Sequence, residues 1–206
     1  MSSIAFTVTE NKIIGLSDGV YFNDFEGNDL GKTDFRKVYK PAPNYLAFVV
    51  GNMPDIFDHF FRSIEEANKA PGNMKELVPG IQELIKMKYD EFAQGGGKIK
   101  EVSHGVFIIG YDQKGRIRLY ELTKDRGESH IREPKTHWPY IDYTICICDD
   151  LENAPGVFRR KLDESLQSHS DHEKAALEAF TNLVNEQKNS GKRVGGEIYI
   201  KTIERP

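Results

Sequence analysis

Two cysteines are all that this chain contains, and both fall in one short stretch, Cys146 and Cys148. On a strand an i, i+2 pair points to one face, and a disulfide between such close neighbours would be badly strained. They read as reduced core thiols, and a lone C-x-C is too sparse for a zinc site. Long apolar runs are missing too. None approaches the ~18 consecutive residues of a transmembrane helix, and the start, MSSIAFTVTENK, has no basic segment leading into an apolar one. A cytoplasmic protein with no membrane segment is expected. Positive charge is not in excess either: the formal net charge is −4, which argues against a nucleic-acid partner. Internal repeats and low-complexity tracts are absent.

What is present is an ordinary globular balance, 38% hydrophobic and 29% charged residues, over a length of 206 that suits one domain, residues 1–206, with a core needing no disulfide. Short apolar runs at Ile4 to Val8 and Ile13 to Ser17, joined by Thr9-Glu10-Asn11-Lys12, predict an opening β-hairpin. After a Gly/Asn/Asp-rich loop, Asn23 to Thr33, strands are expected over Arg36 to Tyr39 and Tyr45 to Val50, broken by Pro41 and Pro43 and closed by Gly51. Helical spacing then takes over from Asp55 through Ile56, Phe57, Phe60, Phe61 and Ile64. It recurs from Leu77 to Phe92 before Gly95-Gly96-Gly97.

A second hairpin, Val106 to Tyr111 and Ile117 to Leu122, turns through Asp112 to Arg116 with Gly115 where a positive φ is needed. A strand over Tyr143 to Cys148 follows, then a helical stretch around Val157 to Leu166. A stronger helix begins at Ser170-Asp171-His172-Glu173, read as a capping box, and a last strand runs from Glu197 to Ile203. Helices arriving in pairs after antiparallel strands suggest an α+β fold of two sheets packed face to face with a helix layer outside each. Ile4, Phe6, Ile14, Leu16, Phe48, Ile108 and Ile198 are the expected interior.

Several short strings stand in an order that matches one family. They are Ser2-Ser3-Ile4-Ala5-Phe6 at the start, Asp18, Arg36-Lys37-Val38, Val49-Val50-Gly51 followed by Asp55, Ile108-Ile109-Gly110-Tyr111-Asp112 with Leu119-Tyr120, and Gly195-Gly196 before Ile198-Tyr199. Together they resemble the proteasome β-subunit family of N-terminal-nucleophile (Ntn) hydrolases, including the bacterial relative that works with an unfoldase ATPase. The resemblance implies a four-layer αββα sandwich of two antiparallel sheets between helix layers, and a homo-oligomer. It implies Ser2 as nucleophile once Met1 is removed, Asp18 and Lys37 as its charged partners, and Gly51 as an oxyanion donor. The family's Gly-Ser-Gly-Ser motif is replaced here by Ile145-Cys146-Ile147-Cys148-Asp149-Asp150, and Asp163 to Ser165 matches its later aspartate and serine only weakly.

The residue types suit that chemistry. A freed α-amine with a reference pKa near ~8 can take the serine proton at neutral pH. A lysine ammonium favours the alkoxide, an aspartate holds the lysine, and a backbone N–H at a helix mouth stabilises an oxyanion. The expectation is thus a peptidase or amidase acting on a peptide or amide substrate with no cofactor and no metal, and with an unfoldase as a possible partner. Two alternatives stand beside it: a non-catalytic assembly or binding module of the same fold, and a small-molecule or metal-binding protein that reuses it. Ser2 as a plain hydrophilic start, with Asp18 and Lys37 as a surface ion pair, is the bland counterpart. His169 and His172 read as a solvated helix start.

Overall fold

The computed structural model describes residues 3–20, 34–51, 54–96, 104–124, 132–148, 151–192 and 194–206. Ser2, the loop Asn23 to Thr33, Gly97, Asp149, Asp150 and the side chains of Asp55 and Phe92 lie outside the described set. The chain forms two compact units, one of residues 1–38 and 140–205, the other centred on residues 39–139.

In the first unit the opening hairpin forms as expected, β1 (Ser3–Val8) against β2 (Lys12–Ser17), with Ala5 opposite Leu16. Thr9 closes the turn, its N–H and hydroxyl both donating to the Lys12 carbonyl. The late strands flank this hairpin, so that β8 (Thr144–Cys148), β1, β2 and β9 (Tyr199–Glu204) make one antiparallel sheet in that order. Side chains alternate across a strand, and one face carries Ala5, Ile14, Leu16, Cys146 and Cys148. That face packs against α3 (Ala154–Leu166) and α4 (His172–Asn189) through Phe158, Phe180 and Leu183, with Phe158 and Phe180 edge to face at 6.2 Å. Every residue of β1 is buried, so the opposite face with Ile4 and Phe6 is covered as well.

The second unit holds β3 (Val38–Ala42), β4 (Tyr45–Gly51), β5 (His104–Tyr111), β6 (Ile117–Lys124) and β7 (Lys135–His137), hydrogen-bonded in sequence order, with α1 (Pro54–Ala67) and α2 (Leu77–Gln94) as its helices. The β5–β6 hairpin turns at Asp112 to Arg116 with Gly115 at φ +69°, as its position requires. All eight residues of β5 are buried, which a strand covered on both faces demands.

The fold class is therefore the expected one, α+β with two antiparallel sheets and two helix pairs. Four details differ from expectation. Pro41 does not break a strand but lies inside β3, an edge strand, the place in a sheet where proline is tolerated. The helix α4 is capped by Asp171 rather than Ser170: its carboxylate accepts the Glu173 N–H at 2.9 Å, a charge-assisted bond at the positive end of the helix dipole. That bond holds the Asp171 carboxyl below its ordinary pKa. Ile198 precedes β9 and is only partly buried, whereas the other six expected core residues are fully buried. The three-residue strand β7 and the 3-10 turn Met74–Glu76 have no periodic signal and are read only from the structure.

Candidate active site

Asp18 follows the last residue of β2 directly, and neither its side chain nor that of Lys37 has any solvent exposure. The Asp18 carboxylate is the hub of the site. One oxygen accepts the Ser3 backbone N–H at 2.9 Å and the Lys37 ammonium, and the other accepts the Gly195 N–H at 3.2 Å. The ammonium also donates to the Val20 carbonyl. The backbone closes the same loop: Asp18 N–H donates to Ser3 C=O at 3.0 Å, and Gly19 N–H to Gly195 C=O at 2.9 Å. Lys37 N–H reaches the Ser17 hydroxyl at 3.3 Å.

This is not a surface ion pair. Taking both charges out of water carries a desolvation cost that only close pairing and further hydrogen bonds offset, and the carboxylate here has two backbone donors besides the lysine. Ser3 is held on its other side as well, its hydroxyl 3.0 Å from the Cys148 sulfur across the β1–β8 pairing. Cys148 is a buried thiol, as expected, yet it also touches the first residue of β1, which the sequence pattern did not reveal. Gly195 is a second participant whose contact only the fold supplies.

Of the four site residues expected from sequence, Asp18 and Lys37 are brought together, and Asp18 holds the N–H of Ser3, the residue covalently next to Ser2. Ser2 itself lies outside the described residues. Gly51 belongs to the second unit, where it ends β4 at φ +117°, opposite His104 and shortly before α1. His104 is buried between Phe57 and Tyr89, and its Nε2 has no hydrogen-bond partner among the described residues. Burial pushes its pKa down to about 4. Among the described residues no group of three or more His, Cys, Asp or Glu side chains is arranged to hold a metal ion. No helix among them is long and apolar enough to cross a membrane.

No family model and no curated protein matches the sequence. Solved structures do match. Anbu, the ancestral beta-subunit from Yersinia bercovieri, is 11% identical, with 99% of this chain and 82% of that chain covered at a TM-score of 0.60. Eukaryotic HslV from Trypanosoma brucei is also 11% identical, with 98% and 99% covered at a TM-score of 0.49. At that identity the likeness to Anbu shows the fold alone. The chain shares the fold of that ancestral beta-subunit, two antiparallel sheets with two helix pairs.

Proposed function

We propose that this chain is a proteasome-like N-terminal-nucleophile peptidase or amidase that hydrolyses amide bonds through Ser2 after removal of Met1. The observation that carries the reading is the fully buried Asp18–Lys37 pair, whose carboxylate also holds the N–H of Ser3, the residue bonded to Ser2. In this reading the sequestered Lys37 ammonium is the fixed positive charge that favours the alkoxide of Ser2.

In the proposed reaction the free α-amine of Ser2 takes the proton from its own hydroxyl as the oxygen attacks the amide carbonyl. The Lys37 charge favours the alkoxide, Asp18 fixes Lys37, and the Gly51 N–H donates to the oxyanion of the tetrahedral intermediate. The amine then returns the proton to the departing nitrogen, the C–N bond breaks, and an ester on Ser2 remains. Water hydrolyses the ester with the same amine as base. The chemistry needs no cofactor. Residues 1–206 act as one domain in this reading, in a cytoplasmic homo-oligomer fed with peptide substrates, with an unfoldase as a possible partner. The "beta-subunit" in the name of Anbu describes that protein as part of a larger whole and motivates the oligomer here.

The test begins with intact mass, to obtain protein that has lost Met1. Wild type should then cleave a short peptide or amide substrate, Ser2→Ala should not, and the two should melt at nearly the same temperature. Ser2→Thr should remain active. Equal activity in wild type and Ser2→Ala removes the proposal. A processed, folded and inactive wild type points instead to the non-catalytic assembly module.

A further inference from the structure

The second unit carries a pocket of about 260 Å³ between the tip of the β5–β6 hairpin, the start of β6 and the turn at Asn73 to Lys75. Four cationic side chains line it, Lys75, Lys114, Arg116 and Arg118, against one carboxylate, Asp112, a local excess of three positive charges on a chain whose net charge is −4. Asp112 does little to neutralise the lysines. One of its oxygens accepts the backbone N–H groups of Lys114 and Arg116, which shapes the hairpin, and the other is taken by the Arg116 guanidinium at 2.8 Å. The Lys75 and Lys114 ammonium groups pair with no carboxylate among the described residues.

The arginines are held from two sides, by Asp112 in the pocket wall, whose second oxygen also lies 3.7 Å from the Arg118 Nε, and by Trp138. The guanidiniums of Arg118 and Arg116 lie 3.7 and 4.6 Å from the ring centroid of Trp138, an attraction that fixes a long side chain before any ligand arrives. Trp138, the chain's one tryptophan, is half exposed. Arg118 and Tyr120 share a face of β6, and Arg118 approaches the Tyr120 hydroxyl at 3.5 Å, adding a polar group to the wall.

We infer that this pocket binds a compact phosphate-bearing polyanion. Two properties define the class. The volume lies just below the roughly 300 Å³ at which pockets for drug-sized ligands begin, so the ligand is small. Three uncompensated charges within that space call for two or more negative charges on a few atoms. A phosphate monoester or a diphosphate provides them, whereas a single carboxylate brings one. The arginine fork and the lysine point charges are the two kinds of donor that phosphate oxygens take. The site is independent of the proposed hydrolase chemistry and stands if that reading fails.

Pyrophosphate is the probe. Because Trp138 is the only tryptophan and stacks on the pocket's own arginines, its fluorescence reports occupancy of the site, and calorimetry gives the affinity in parallel. Saturable binding that weakens as salt is raised is expected, with Lys75→Gln and Lys114→Gln each losing about tenfold in affinity. Lys201→Gln, on β9 of the first unit, should change nothing. Both lining lysines sit on solvent-facing turns, so the variants should fold, which circular dichroism checks. A non-saturating response, equal affinity in the lining variants and Lys201→Gln, or equal affinity for citrate would each overturn the assignment.

Discussion

Asp18 and Lys37 are buried to the same degree, so removing either charge strands the other without water. A broken buried pair of this kind costs about 3–5 kcal/mol. Lys37→Met is therefore expected to lower stability by that amount, read by urea unfolding, as well as to slow peptide hydrolysis about 10²- to 10³-fold. The double variant Asp18→Asn/Lys37→Met separates the two roles. It removes both charges while leaving an amide oxygen to accept the Ser3 N–H, so stability should recover in part and activity should not. Activity that returned with stability would mean that the pair only holds the fold. His104 gives a second residue-scale expectation. Its folded pKa of about 4 lies below the unfolded value of ~6.5. Above pH ~6.5 the ring is neutral in both states. As pH falls toward 4 the unfolded chain takes up a proton that the folded one refuses, so stability drops by roughly 3 kcal/mol across that window and no further below it. Replacing His104 with Leu should flatten this part of the curve of unfolding free energy against pH.

Element by element, the caps and edges separate local signals from tertiary ones. Ser170 and Asp171 are both good N-cap residues, and the pattern Ser170 to Glu173 is compatible with either as the helix start. In the fold Asp171 takes the extended cap geometry, with φ −93° and ψ 114°. Asp171→Ala should lower the melting temperature measurably, and Ser170→Ala should leave it almost unchanged. The reverse order would restore the capping box. The helices, the two hairpins and the central strands were legible because their periodicities are local, whereas the solvent-facing Lys135–His137 strand has no apolar alternation to betray it.

At the scale of the molecule, the two units each carry one sheet and one helix pair, and the fold likeness to Anbu extends over 99% of the chain at 11% identity. Such a likeness survives because two sheets and two helix pairs need only apolar residues at the right spacing, not particular ones. The proposed homo-oligomer belongs to this scale. Sedimentation velocity of the processed protein should give a mass several times that of the chain's 23.5 kDa. A monomer at micromolar concentration would remove that part of the reading.

What the sequence by itself determined is the identity of most elements, the partners within each hairpin and, by resemblance, the choice of Asp18 and Lys37. All of these follow from patterns within a few residues or from the order of short strings. Only the tertiary structure decided that the pair is buried rather than a surface contact, that Cys148 meets Ser3, and that Gly195 caps Asp18. Those last two contacts join residues 145 and 177 positions apart. They exist because β8 and β9 add to the two edges of the opening hairpin, and pairing between distant strands leaves no local signature for a sequence pattern to carry.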